Sequence, residues 1–354
     1  MDQIIVGIMA FFMVIGAVDK ALFDGKFGYG KEFENGLNTM GPLALVMVGI
    51  MCVSPALGTA LGPALSSFFL SIGSDPGGLP LAQALAKHPE AVEIFGIGLC
   101  STLACIICMP LPISLAMATQ KSRPFIAKGI VAGIIASPLS MLGVAWVRGY
   151  DTLTVLTLGA PAFGIAVVLA FFLIVFREPT IRFFIGFGRV LVGIFALLLT
   201  AAALEHYFSI TIIPGMAKID PQLTIIGQIG VMLAGAYPMV LFIKRYGTKV
   251  LHLFARTMRI DDTAALGMLV SVANPLPMYA MIENMTNRGK VIASAFSGPV
   301  LCMLGDHLGF MAAYYPQGIE PLIAGKALAA VAAVFIALGL EVLSPSPEET
   351  APAA

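Results

Sequence analysis

Apolar runs of membrane-crossing length, parted by short polar turns, set the pattern of this chain. A helical span needs about 20 apolar residues, fewer where snorkelling groups flank it, and roughly nine to ten segments meet that measure. They are read at residues 4–18, 37–57, 94–118, 125–147, 153–176, 190–204, 223–243, 266–282, 291–315 and 319–343.

The interruptions carry as much information as the runs. Residues 24–36 form a polar, glycine-bearing stretch that suits a folded loop returning to the membrane. The second span is interrupted by Pro42, Gly49 and Pro55, and residues 58–93 are rich in Gly, Pro and Ser. Within that region the apolar piece 79–86 is too short to cross and reads as re-entrant or interfacial. Pro110 and Pro112 break the third span, 177–189 is a cationic loop, and 244–259 a basic amphipathic piece on the membrane surface. Asn274-Pro275-Leu276-Pro277 cannot continue a helix, so 266–282 is a discontinuous helix or a re-entrant hairpin. The tail, 344–354, is rich in Pro, Ser and Glu and reads as disordered.

Composition agrees with a lipid-facing chain. Of 354 residues 58% are hydrophobic and only 11% charged, against about 25% charged in a soluble domain. Basic and acidic residues balance at 20 each, with no basic block to track phosphates, so nucleic acid is not expected as a partner. Met1-Asp2 offers no basic leader before the first apolar run, so that run is expected to stay as a span. The five cysteines sit in apolar segments; Cys105-Ile106-Ile107-Cys108 has metal or redox spacing but no second Cys pair, and neither metal nor cofactor is expected.

Loop charge orients the chain. If 79–86 and 266–282 dip in without crossing, one side collects Lys20, Lys26, Lys31, Lys121, Arg123, Lys128, the 177–189 and 244–259 stretches, Arg288 and Lys290. The other side receives Lys87, Arg148 and Lys218. Positive charge inside then places the N-terminus outside and the C-terminus in the cytoplasm. A fully crossing 266–282 would move Arg288, Lys290 and the C-terminus outside.

Two halves of opposite sense are suggested by recurring motifs. Val6-Gly7-Ile8-x-Ala10 returns as Val192-Gly193-Ile194-x-Ala196, and Asp19, Gly41 and Gly49 match Glu205, Gly227 and Gly235 at the same offset. Pro124-x-Ile126-Ala127 returns as Pro321-x-Ile323-Ala324. The fold class expected is an all-α polytopic transmembrane bundle with inverted repeats and broken or re-entrant helices, the plan of secondary transporters. Its parts are a first repeat over 1–150, a linking span and loop over 151–189, a second repeat over 190–343 and the tail, 344–354. Self-association into a homo-oligomer is left open.

Chemistry concentrates in Leu304-Gly305-Asp306-His307-Leu308-Gly309-Phe310, an acid and an imidazole side by side in an apolar run. An intramembrane carboxylate is costly and marks a substrate or ion route. Its plainer role would be structural, Asp306 capping a half-helix and His307 satisfied by a carbonyl. Asn274, Asn38, Tyr237 and Tyr279 lie in or beside broken spans and could replace water around an ammonium, with Phe310 or Tyr279 adding a cation–π face. His307 adds a pH-sensitive partner. Asp19, Glu205 and Glu283 fall at span ends, where solvated or snorkelling roles are expected. With four His and no HExxH or nucleophile motif an intramembrane enzyme is disfavoured, and no soluble signalling domain marks a sensor.

Several blocks in order resemble the ethanolamine permease family of bacterial ethanolamine-utilization systems (EutH). They are Gly25-Lys26-Phe27-Gly28, Glu32-Phe33-Glu34-Asn35-Gly36, Met40-Gly41-Pro42-Leu43, Gly235-Ala236-Tyr237-Pro238-Met239-Val240-Leu241, Ala273-Asn274-Pro275-Leu276-Pro277-Met278, Arg288-Gly289-Lys290-Val291 and Gly305-Asp306-His307-Leu308-Gly309-Phe310. The resemblance implies an inner-membrane permease that admits ethanolamine for a cytoplasmic ammonia-lyase pathway. This chain departs from the family at 77–86, where a longer segment with an Asp-Met-Gly-Gly core is expected. Another small amine or a nucleoside-like solute is the alternative substrate.

Overall fold

The computed structural model describes residues 2–72, 78–85, 89–108, 110–247, 253 and 255–346, and these hold helices and turns without a strand. Helices α1 (Asp2–Phe23), α2 (Tyr29–Asn38), α3 (Met40–Ile72), α4 (Gly78–Leu85) and α5 (Pro89–Glu93) lead into a π-helix, Ile94–Ala104. It continues as α6 (Cys105–Cys108) and α7 (Pro110–Met117). Next come α8 (Arg123–Ala136), α9 (Ser140–Arg148), α10 (Thr152–Val175), α11 (Arg177–Phe208) and α12 (Ile219–Tyr246). The last third comprises α13 (Asp262–Ser271), α14 (Leu276–Ala280), α15 (Asn287–Val300), α16 (Asp306–Tyr314) and α17 (Ile319–Leu343).

Among the described residues seven helical stretches are long and apolar enough to cross a membrane: Ile4–Phe23, Tyr29–Leu57, Glu90–Ile107, Arg123–Arg148, Thr152–Val175, Ile219–Tyr246 and Pro316–Leu343. The shorter apolar Val192–Phe208 and the broken pair α15–α16 account for two further expected spans. The chain is an all-α, multi-pass membrane protein.

Some boundaries differ from the sequence reading. Residues 24–36, expected as a loop, turn at Gly25 (φ 72°) and Gly28 (φ 81°) but also contain most of α2, because Gly30 and Gly36 serve close packing rather than turning. A Cβ on Gly36 would lie 2.4 Å from the Leu233 carbonyl, and one on Gly30 2.8 Å from the Lys20 backbone nitrogen. Asp19, expected to be solvated, is 3% exposed and accepts the N–H groups of Phe27 (3.0 Å) and Gly30 (2.7 Å). A carboxylate there suits the positive end of α2. Helix α3 continues past residue 57 to Ile72, since a proline removes one hydrogen bond without ending a helix that its neighbours support. Helix α11 absorbs the cationic 177–189, with Pro179 in the first turn, where its missing N–H is not needed. The 244–259 piece and the tail fall partly outside the described residues, at 248–252, 254 and 347–354.

Two apolar cores organise the bundle. One joins α8, α10, α13, α15 and α17 to the π-helix; the other joins α1, α3, α11 and α12 to α16. Helix α1 packs on α12 and α11 on α3. Each contact is closed by a glycine: a Cβ on Gly235 would meet the Met9 carbonyl oxygen at 2.1 Å, and one on Gly49 the Leu199 nitrogen at 2.6 Å.

The 266–282 segment folds as a hairpin whose two ends meet. Asp261, which caps α13, also accepts the N–H (2.9 Å) and hydroxyl (2.7 Å) of Thr286, so the chain leaves and returns at one level. Glu283 fixes that level beside the turn before α8, accepting the Thr119 N–H (2.8 Å) and the Ser122 hydroxyl (2.7 Å).

Candidate functional site

Two helix breaks meet at the centre of the site. Pro275 and Pro277 prevent α13 from continuing beyond Ser271, and the Asn274 side chain starts the next helix by accepting the Leu276 N–H at 2.9 Å. The second break, between α15 and α16, places Cys302 at φ 54°, a left-handed conformation costly for a residue with a Cβ. Backbone hydrogen bonds pin the breaks together, Leu304 N–H to Val272 O at 2.9 Å and Cys302 N–H to Ser271 O at 3.3 Å. Gly305 permits this approach, because a Cβ there would sit 2.1 Å from the Ala273 carbonyl oxygen.

Asp306 follows as the first residue of α16, where the helix dipole favours a negative charge. Its Oδ1 lies 3.4 Å from the Tyr237 hydroxyl and its Oδ2 3.8 Å from the Cys302 thiol. Tyr237 also hydrogen-bonds the Asn274 side chain, so both breaks and α12 are linked through one phenol.

These groups line a cavity of about 610 Å³ between the two cores. Helix α2 contributes Glu32, Asn35 and Asn38, the α2–α3 junction Thr39, and α12 Tyr237 and Lys244; the breaks contribute Asn274, Cys302, Asp306 and His307. Proline and aliphatic side chains, among them Pro42, Leu43, Val240 and Leu241, complete the wall. Two carboxylates face one ammonium there, a net single negative charge when His307 is neutral. Such a lining attracts a small monovalent cation, and the volume leaves room for its water.

Of the residues singled out from sequence, Asp306, His307, Asn274, Tyr237 and Asn38 come together on this cavity. Tyr279 sits apart, 2% exposed, with its hydroxyl 3.4 Å from that of Ser297. His307 is 4% exposed and borders a second, water-sized void of about 10 Å³ shared with Cys100 and Ser101. Sequence reasoning missed Glu32, Asn35 and Lys244. Glu32 and Asn35 are joined at 3.2 Å, three residues apart on one face of α2, a spacing that becomes visible only once the stretch is read as a helix.

A buried cluster lies at the opposite end of the bundle. Glu93, 5% exposed, accepts from Arg148 Nη2 (2.6 Å) and Nε (2.8 Å), from Tyr150 (2.6 Å) and from Tyr315 (2.9 Å). Arg148 also donates to the Gln317 carbonyl at 2.8 Å, so the α9 end and the α16–α17 turn are tied to the start of the π-helix. Burial, followed by the hydrogen bond to Glu93, pushes both tyrosine hydroxyls above their ordinary pKa, which keeps them as donors.

A family described as "Ethanolamine utilisation protein, EutH" matches residues 1–340. The "Probable ethanolamine permease EutH" of Listeria monocytogenes serotype 1/2a (strain 10403S) is 34% identical over 349 residues, 95% of this chain and 93% of that protein. The protein of the same description from Escherichia coli (strain K12) is 32% identical over 388 residues, 96% of this chain and 95% of its own. That alignment is longer than the 354 residues here, so the relative carries residues this chain lacks. "Uncharacterized protein YxeR" of Bacillus subtilis (strain 168) is 32% identical over 345 residues, 94% of this chain and 93% of that one. No solved structure matches. This chain belongs to the EutH family of ethanolamine utilisation proteins.

Proposed function

We propose that the chain is a membrane permease that carries ethanolamine as its protonated cation, with Asp306 as the carboxylate that receives the ammonium. The observation that carries this reading is the position of Asp306, at a helix break, on a cavity whose lining has a net negative charge. The names of the relatives supply the substrate.

Physical need points the same way. Neutral amine crosses lipid unaided, whereas the charged form, dominant at and below neutral pH, meets the barrier to buried charge. A uniporter of the cation would draw on the membrane potential, about 2.3 kcal/mol per 100 mV, or roughly fiftyfold accumulation at equilibrium. Asn38, Asn274 and the Tyr237 hydroxyl would replace water as the ammonium and hydroxyl reach Asp306. The ethanolamine molecule is far smaller than the cavity, so dehydration is confined to that last step.

In this reading the two halves are inverted repeats. The α1–α12 and α11–α3 contacts support it, because they exchange under the repeat and use the motif glycines Gly235 and Gly49 in equivalent places. The cavity rim at Glu32 and Lys244 would face the cytoplasm with the Lys- and Arg-rich loops, and the Glu93 cluster would seal the outer side. Access would alternate as the helices around the breaks, α16 and α17 among them, move against the rest of the bundle.

Reconstituted liposomes with a clamped potassium diffusion potential test the proposal through uptake of labelled ethanolamine at two pH values, with choline and ammonium as competitors. Saturable uptake that grows with an inside-negative potential is expected. Uptake that tracks only the neutral amine fraction, or equals that of empty liposomes, would refute it.

A further inference from the structure

Helix α17 holds a lysine that this transport scheme does not use. Lys326 is fully buried, at 0% exposure, inside the helix bundle. Its ammonium donates to the carbonyl oxygens of Ser101, Pro299 (3.2 Å) and Leu301 (2.9 Å). An ammonium has three donors, and three carbonyls meet it.

The origin of those carbonyls is informative. Ser101 belongs to the π-helix, whose wider winding displaces carbonyls from the ordinary ladder. Pro299 and Leu301 stand where α15 ends at the break, so their oxygens lack the partners that a continuing helix would give. Oxygens from unwound, membrane-embedded backbone converging on one positive charge are the ligand set with which transporters hold a small monovalent metal ion. Here the positive charge is covalently attached. Gly129 occupies the corresponding place in the first half, counted from the Pro124 and Pro321 motifs, and a Cβ there would already meet the Val291 oxygen at 2.2 Å. The first half has no room for such a side chain at that place.

We propose that Lys326 is a tethered cation: its ammonium fills a carbonyl-built monovalent-cation site behind the Cys302–Gly305 turn, so the protein holds its broken spans without a bound sodium ion. For transport this deepens the reading above, and it makes the permease independent of sodium. The lysine braces the turn on one side while Asp306 faces the cavity on the other. A neutral side chain of similar length would fill the volume but leave the three carbonyls unsatisfied, which is costly in a dry interior.

The test uses the purified full chain, wild type and Lys326→Ala, in sodium, potassium or lithium chloride and in N-methylglucamine chloride, whose cation is too large for the site. Wild type is expected to unfold at the same temperature and to transport at the same rate in all four salts. Lys326→Ala is expected to gain about 3 °C in Tm when a small cation is present at roughly ten times its Kd. Its uptake should fall about tenfold or more in N-methylglucamine and recover in the salt that stabilises it. A folded Lys326→Ala insensitive to every cation overturns the proposal. So does wild-type protein whose Tm or uptake requires sodium, a result that decides the matter even if the variant does not fold. The thermal measurement reads the site without transport, so failure of the ethanolamine reading would leave this outcome legible.

Discussion

Replacing Asp306 by Asn removes one charge and leaves the side chain's shape, so its effect can be worked from the site. Tyr237 and Cys302, its neighbours at 3.4 and 3.8 Å, contribute no charge of their own, and the amide oxygen of Asn can still accept from the phenol. Two unit charges 4 Å apart attract by about 1 kcal/mol in water and about 4 kcal/mol at the effective dielectric of a protein surface. Asp306 is half-buried on a roomy cavity, which places the loss between those limits, about 2–3 kcal/mol. That corresponds to substrate binding weaker by about 30- to 150-fold. Initial uptake rates in proteoliposomes over a wide ethanolamine range, paired with equilibrium binding, read this directly, and Asp306→Glu should retain part of the affinity. Wild-type KM and rate in Asp306→Asn, with normal amounts of protein in the membrane, would remove this carboxylate from the mechanism.

Other perturbations separate the site from its surroundings. Tyr279→Phe, whose hydroxyl meets Ser297 away from the cavity, should leave KM unchanged; a tenfold rise would place it on the substrate path after all. Glu32→Gln should raise KM by only about two- to fivefold, and the effect should shrink with added salt, as expected for a steering charge at the rim. Gly305→Ala should destabilise the protein by about 2–4 kcal/mol, read as lowered Tm, because its Cβ cannot coexist with the Ala273 oxygen 2.1 Å away. Burial raises the Glu283 carboxyl, but hydrogen bonds from Thr119 and Ser122, with Lys290 nearby, bring its pKa below the ordinary glutamate value. A depressed folded pKa stabilises above the unfolded value and is lost as pH falls through the folded one, so Glu283→Gln should flatten the acid limb of a stability–pH curve. An unchanged acid limb would contradict that assignment.

What could be read from sequence, and what could not, follows from how rare each signal is. Asp306 stands out because an acid in an apolar run has few innocuous explanations, and the Asn274–Pro277 break because two prolines forbid helix. Helix α2 was hidden: Gly30 and Gly36 carry the letters of a loop, yet their purpose is contact with Lys20 and Leu233, partners that only the fold brings near. With α2 unread, Glu32 and Asn35 could not be placed on a cavity wall. The same local ambiguity hid the continuation of α3 and the start of α11, where proline and basic residues suggested ends that packing does not impose. Lys326 gave the same kind of signal as Asp306, a charge set among apolar neighbours between Glu320 and Glu341, and the three carbonyls that meet it are backbone atoms that no side-chain pattern reveals.

Taken together, the two buried charges bear on how voltage would enter the transport cycle. With Lys326 charged and fixed to the carbonyls, the break holds one negative and one positive side chain, so the unloaded protein moves little net charge when α16 and α17 rearrange together. Binding of the substrate ammonium then makes the moving unit net positive, and the inside-negative potential acts on the loaded step. In Lys326→Ala without a replacing cation the balance reverses: the loaded unit is neutral and the empty one negative, so the potential acts on the return step. One charge still crosses per molecule in either case, which keeps the equilibrium accumulation the same. The maximal rate of the wild type would therefore steepen with voltage through loaded translocation. The variant's voltage dependence would appear instead in the rate at which empty sites return, a difference that exchange and net-uptake measurements resolve.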